Sequence, residues 1–262
     1  MPAHYQPGEH VQPLSPEDEA REWNARQRVA QESIKISPET WRAKELIGLL
    51  WQSLQKENPQ LSTVHVEDVS ARSDATFEFT AGDFVPPART QDKPKIRIAT
   101  ADVGSLENML TTREASVRII AELLDLPFEK ISKELLLAFI LAHEAGHAQD
   151  FVTNYQDVGS DKLANSNVWT DQYIEQLDTL PVPRLTPSDL KNTINNSGGY
   201  VRFCARFSLL PQRLADRGIT SEEQLLVAQE RAYRSLPRES YADQFAASHI
   251  KQHAVRLGLT LD

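Results

Sequence analysis

The sequence predicts a predominantly helical α+β fold that contains a small, twisted β-sheet. Two observations support this class. Segments with apolar residues at helical spacing occupy both the first and the last part of the chain, and three short stretches with alternating apolar residues lie between them. With 262 residues and a hydrophobic content of 40%, the chain is long enough to bury a sizeable core. Its single cysteine excludes an intrachain disulfide and a zinc site built on several thiolates.

We expect one folded domain over residues 15–262, preceded by a disordered tail. Residues 1–14 are rich in Pro, His and Gln and have no apolar period. The domain begins with a helical extension, residues 15–58. Residues 155–198 are dense in Asn, Asp, Ser and Pro and predict a long irregular insertion, of the kind that often serves as a functional loop. Short helices are expected within it near residues 168–177 and after Thr186-Pro187.

Helix starts, apolar stripes and alternating runs predict the individual elements. Ser-Pro pairs open the first two helices, and Trp41, Leu46, Leu50 and Leu54 form a stripe on the second. A later helix opened by Ser132 has apolar residues on all sides and should be central and buried. The predicted strands are 63–69, 75–80 and 95–100, and the predicted helices are about 16–33, 38–57, 112–126, 132–154, 200–209, 221–236 and 238–257.

Charge and hydropathy limit the kinds of partner. The formal net charge of −9 argues against nucleic acid as the main partner. The amino-terminal residues lack the pattern of a secretory signal, and the longest apolar run, residues 135–142, is far shorter than the roughly 20 residues that cross a bilayer. We therefore expect a soluble, cytoplasmic protein without a membrane partner. The sequence leaves its oligomeric state open.

The motif that points to chemistry is His-Glu-Ala-Gly-His at residues 143–147. Residues four apart share one face of a helix, so the imidazoles of His143 and His147 can reach one zinc ion. Glu144 then lies beside the open coordination position, where it would act as general base toward a zinc-activated water. Burial of these three groups without partners would be costly, and a metal ion satisfies all of them.

A catalytic zinc usually takes a third protein ligand, and a late helix offers one. Glu239 and Asp243 are also four apart. Glu239 is our candidate for the third ligand, and Asp243 for the acceptor of the outer N–H of a ligand histidine. Asp150 is a weaker alternative, because it lies about 10 Å along the helix axis from His143.

These two segments together resemble the gluzincin metallopeptidases. The HEAGH motif and the downstream E-x-x-A-D in RESYADQFAA are similar to the ImmA/IrrE-like and the HtpX-like branches. The resemblance implies His143, His147 and Glu239 as zinc ligands, Glu144 as base and Asp243 as the partner of a ligand. It also implies a zincin-like fold, with a small sheet packed on an active-site helix and a glutamate helix. In that fold the edge strand borders the substrate cleft, and residues 95–100 are our candidate for it.

Several other residues carry weaker predictions. Gluzincin sites often add a side chain that stabilises the oxyanion, and Tyr200, beside a flexible Ser-Gly-Gly, is our candidate. His249 and His253 form a second pair four apart, too far from Glu239 to join its site, and we expect them to be exposed surface histidines. We expect Cys204 to be a small buried hydrophobe.

Three functions therefore remain open at this stage. The first is a zinc endopeptidase that acts on a protein or peptide substrate. The second is a regulatory or protein-binding module on a zincin scaffold with structural or vestigial zinc, favoured by the long insertion and the charged amino-terminal helix. The third is a metal-free helical domain in which the motif arose by chance.

Overall fold

The computed structural model describes residues 38–68, 82–89, 91–99, 113–156, 162–180, 187–206 and 218–261. The predicted tail, the predicted helix 16–33 and the predicted strand 75–80 lie outside these residues. The strands are β1 (His65–Asp68), β2 (Gly82–Val85) and β3 (Lys95–Ile98), and the helices are α1 (Pro38–Glu57), α2 (Glu114–Leu124), α3 (Lys133–Asn154), α4 (Lys162–Asp178), α5 (Pro187–Asn196), α6 (Tyr200–Arg206), α7 (Glu222–Arg234) and α8 (Pro237–His253).

Helix α3 is the centre of the core, as the sequence predicts. The hydroxyl of Ser132 caps it by accepting a hydrogen bond from the Leu135 amide. Apolar side chains on both of its sides are buried, including Phe139 and Phe151. Because the surrounding helices and the sheet cover α3 on several sides, polar groups on it must find partners inside the protein.

Helix α1 packs against α3 through a stripe of buried residues. Leu46, Leu50 and Leu54 belong to this stripe, as predicted. Trp41 does not, because 64% of its surface is exposed. The buried face of α1 is therefore part of the main core.

The closest helix crossing in the core joins α3 to α8 at Gly146. A Cβ atom at this position would lie 2.8 Å from the Cα of Ala242, closer than such atoms approach in proteins. Glycine thus allows the two helix backbones to touch. This crossing lies one turn from Glu239 and brings the first turn of α8 to the motif on α3.

The sheet is small and has the order β1-β3-β2, with β1 parallel and β2 antiparallel to β3. Ile96 and Ile98 of β3 are fully buried on one face, as their alternation predicts. The prediction that residues 95–100 form the edge strand is wrong, because β3 pairs on both sides. Among the described strands, β2 and β1 are at the edges. The sequence analysis missed β2, a four-residue strand that begins with glycine and ends before two prolines.

The predicted irregular insertion is largely helical where the structure describes it. Helix α4 has 17 residues, and α5 has 10. The sequence predicts short helices in both places, and α4 begins earlier than expected. Only a few apolar residues of these two helices, such as Trp169, Leu190 and Ile194, are buried. Helices α5, α6 and α7 share a second, smaller hydrophobic cluster that contains Cys204, which is buried as predicted.

The crossing at Gly146 gives a prediction for stability. Gly146→Ala should destabilise the protein by about 1–3 kcal/mol, because the added methyl group meets the backbone of α8. This cost exceeds the gain of up to about 1 kcal/mol that alanine brings to a helix interior. Urea unfolding monitored by circular dichroism measures the difference.

Gly48→Ala is the matched control. Gly48 is an exposed position in α1 where a Cβ atom would meet nothing within 4 Å, so this variant should be neutral or slightly more stable. Equal stability of the Gly146→Ala and Gly48→Ala variants would contradict a packing role for Gly146.

Candidate metal centre

Three potential ligands converge where α3 crosses the first turn of α8. His143 Nε2 lies 3.1 Å from His147 Nε2 and 3.3 Å from Glu239 Oε2. His147 Nε2 lies 3.5 Å from the other carboxylate oxygen, Oε1. The structure therefore brings together the three residues that the sequence analysis selected, as a group that could bind a metal ion.

These separations fit a tetrahedral zinc ion. Bonds of about 2.0–2.2 Å from zinc to nitrogen and oxygen ligands put neighbouring ligand atoms about 3.3–3.6 Å apart in a tetrahedron. The distances of 3.1, 3.3 and 3.5 Å are close to that edge length. The two imidazole planes are almost perpendicular, at 88°, so both rings can direct Nε2 at one point without stacking.

Burial makes a compensating cation valuable here. Glu239 is 1% exposed and His147 is 7% exposed. Glu239 Oε2 is buried and lacks an aligned hydrogen-bond donor among the described residues. Burial alone would raise the pKa of Glu239, but the hydrogen bonds and charges of the two imidazoles outweigh it and hold that pKa well below its usual range. The carboxylate is thus ionised and ready to bind a cation.

Asp243 orients His143 through Nδ1, the ring nitrogen that does not face the other potential ligands. Its Oδ1 lies 2.9 Å from His143 Nδ1, which fixes the ring so that Nε2 faces the other ligands. Arg234 donates to the same oxygen at 2.6 Å and also contacts Glu230 and Ser116, so the carboxylate is held in a buried polar network. This is the contact that the sequence analysis predicted for Asp243.

The same contacts change the protonation of His143. Burial lowers its pKa, but hydrogen bonds to Asp243 and Glu239 and the charge of Glu144 act in the opposite direction and raise the pKa to about 10. A metal ion at this place must therefore displace a proton from the ring over the whole neutral range.

Glu144 lies beside the ligands and under the sheet. A Cβ atom on Gly82 of β2 would approach the Cγ of Glu144 to 3.4 Å, so this strand passes close to the Glu144 side chain. Burial raises the pKa of Glu144, and the negative charges of Glu239 and Asp83 add to that effect, against the two histidines. A raised pKa suits a group that must take up a proton and later release it.

Tyr173 is a site residue that the sequence analysis missed. Its hydroxyl donates to Glu239 Oε1 at 2.6 Å and lies 3.0 Å from the hydroxyl of Tyr233. Its ring also packs against His147, with centroids 6.2 Å apart. Tyr173 belongs to α4, in the predicted insertion, and no motif marks it. The available signal was its place one helix turn after Trp169, on the apolar stripe of α4.

The side chain of Arg238, in the first turn of α8, contacts several groups of α4. The guanidinium lies 4.4 Å above the ring of Trp169 and contacts the backbone carbonyl of the same residue. It also donates to the Tyr155 hydroxyl and to Gln172. Since Arg238 directly precedes Glu239, these contacts position the carboxylate as well as α4.

Four other residues named in the sequence analysis lie elsewhere. The Tyr200 hydroxyl donates to the Ile219 carbonyl at 3.5 Å in the second hydrophobic cluster, and the structure does not bring it to the ligands. Asp150 accepts a hydrogen bond from Trp169 Nε1 and faces Arg238. The prediction that His249 and His253 are exposed is wrong. Only 4% and 11% of their side chains are exposed, because both pack on Glu57.

Comparison with known proteins identifies no family for this chain. No family model, no curated protein and no solved structure matches the chain. Within the described ranges, none of the helices combines the length and the apolar character that crossing a membrane requires.

The raised pKa of His143 gives a prediction for metal uptake. Below about pH 10, zinc competes with a proton on this ring, so zinc affinity should rise by roughly tenfold for each pH unit between about pH 6 and pH 8. Titration calorimetry in buffers of different ionisation enthalpy should show at least one proton released per zinc. Affinity that does not change with pH would contradict the protonation state described above.

The hydrogen bond from Tyr173 gives a second prediction. Tyr173→Phe keeps the ring but removes a donor to a buried carboxylate, a bond that contributes about 1.5–3 kcal/mol. Zinc affinity should fall by about 10–100-fold, as measured by competition with a chromophoric chelator. Tyr200→Phe is the matched control and should bind zinc like the wild type. An equal loss in both variants would exclude a specific role for Tyr173.

Proposed function

We propose that the protein is a zinc-dependent metallopeptidase, with His143, His147 and Glu239 as ligands and Glu144 as general base. The observation that carries the proposal is the convergence of the two imidazole Nε2 atoms and the two carboxylate oxygens of Glu239, at separations of 3.1–3.5 Å. A carboxylate beside this group and a second carboxylate behind His143 supply the remaining parts of a hydrolytic site.

The reaction would depend on a few proton transfers and fixed orientations. Bound zinc would supply an activated water and polarise the carbonyl of the substrate. Glu144, with its raised pKa, takes a proton from the attacking water and delivers it to the leaving amine. Asp243 keeps the proton of His143 on Nδ1, so that Nε2 stays available as a ligand atom. Tyr173 holds the Glu239 carboxylate toward the imidazoles.

Strand β2 is the feature that favours a peptide as substrate. It is an edge strand among the described residues, it runs antiparallel to β3, and its Gly82 lies close to the Glu144 side chain. An extended peptide that pairs with the outer side of β2 would run past Glu144. Residues 82–85 would therefore be the edge strand that borders the substrate, a role for which residues 95–100 were the candidate in the sequence analysis. The sheet, α3 and α8 together would then form a zincin-like active-site arrangement.

The test of the proposal is the Glu144→Gln variant. The amide has nearly the same shape but cannot take up the proton, so cleavage of peptide substrates should fall by roughly 10²–10⁴-fold in kcat. Zinc content should stay at the wild-type level, because Glu144 is not one of the ligands. Cleavage is followed on a library of fluorogenic peptides with zinc-loaded protein.

Equal cleavage by wild type and Glu144→Gln would remove this mechanism. If the wild type binds zinc but cleaves no peptide, the alternative of a binding module on a zincin scaffold is supported instead. A protein partner should then be bound with the same affinity by both forms.

A further inference from the structure

A second group of potential ligands lies at the other end of α8. It consists of Glu57, the last residue of α1, together with His249 and His253, which share one face of α8. His253 is fourteen residues after Glu239, about 21 Å along the helix, so the two groups cannot share an ion. We propose that Glu57, His249 and His253 form a second zinc site, which links α1 to α8 and lies outside the catalytic centre.

The potential ligand atoms of this group lie within 4.8 Å of one another. Each oxygen of the Glu57 carboxylate faces a different ring. Oε2 lies 3.1 Å from His249 Nδ1, and Oε1 contacts His253 Nε2. His253 Nε2, which is buried, has no aligned hydrogen-bond partner among the described residues. A cation held by the three groups would give this nitrogen a partner.

The burial of the two rings also fits ligands of a metal ion. Only 4% of the His249 side chain and 11% of the His253 side chain are exposed. Buried polar groups need partners, and the Glu57 carboxylate is the group that both rings face. A cation held between the carboxylate and the two rings would satisfy all three groups at once.

The surrounding charges favour a cation at this place. Glu57 ends α1 and His253 ends α8, so the negative ends of two helix dipoles meet at the group. A carboxylate at a helix carboxyl end is unfavourable unless a cation accompanies it. The nearby guanidinium of Arg256 contacts the Ser53 hydroxyl, one turn before Glu57, and leaves the carboxylate to the two imidazoles.

The ligand atoms select the type of metal. Two imidazole nitrogens and one carboxylate oxygen suit zinc, whereas calcium and magnesium prefer oxygen ligands only. The Glu57 side chain is 35% exposed, so water can reach the ion and complete its coordination. Zinc at this group would hold α8, which also carries Glu239, against α1 and would stabilise the fold.

Zinc counting on the full-length, untagged chain tests the inference. Protein stripped with a chelator is dialysed against buffered free zinc, and metal per chain is measured by elemental analysis. The wild type should bind about two zinc ions, one for each group. His253→Asn and the nearly isosteric Glu57→Gln should each bind about one. His65→Asn, which changes an exposed histidine of β1, is the control and should keep about two.

Thermal unfolding isolates the second site and checks that the variants fold. In a His143→Asn background, zinc should still raise the melting temperature. The rise should disappear when His253→Asn is added, while the zinc-free melting curves of the two proteins stay similar. A rise that is the same with and without His253→Asn would overturn the inference.

The counts also separate this inference from the proposed peptidase function. One zinc in the wild type that is lost in His143→Asn but kept in His253→Asn overturns the second site alone. One zinc that is lost in His253→Asn but kept in His143→Asn supports the second site and removes the metal from the proposed catalytic centre. Two zinc ions without peptide cleavage support the second site and count against the peptidase.

Discussion

The contact between α3 and α8 at Gly146 is the constraint on which the candidate site depends. Without a side chain at this residue, the two backbones approach closely enough for Glu239 to meet His143 and His147. Helix-to-helix distance is normally set by the side chains at the crossing, and only the smallest residues permit such an approach. Gly146 therefore affects the ligand geometry through the backbone contact with Ala242, one turn after Glu239 on the same helix.

The site concentrates several buried carboxylates around two imidazoles, and this arrangement needs positive charge. Glu144, Glu239 and Asp243 are all buried or nearly so, whereas Arg234 is the guanidinium that contacts Asp243. A dication at the ligand group would bring the local charge closer to balance than the side chains do alone. The network that ends in Arg234 also holds the Asp243 carboxylate in the position where it contacts His143 Nδ1.

Local sequence patterns predicted the predominantly helical α+β class, the bounds of α3 and the face on which His143, Glu144 and His147 lie. Spacing within a helix determines such faces, so they can be predicted without a structure. Strand order was not predictable in the same way, because pairing joins segments distant in sequence, and β3 proved central. Tyr173 was missed for a similar reason. Its role depends on how α4 packs against α8, and a helix predicted near residues 168–177 does not by itself show that contact.

Arg238 couples two parts of the protein that the sequence separates by more than fifty residues. Its guanidinium is sandwiched among α4 groups around Trp169, while its own backbone begins the turn that carries Glu239. A displacement of α4 would strip a buried cation of its partners and loosen that turn. The positions of α4 and of the Glu239 carboxylate are consequently coupled, so that a movement of the helix would also displace a potential ligand.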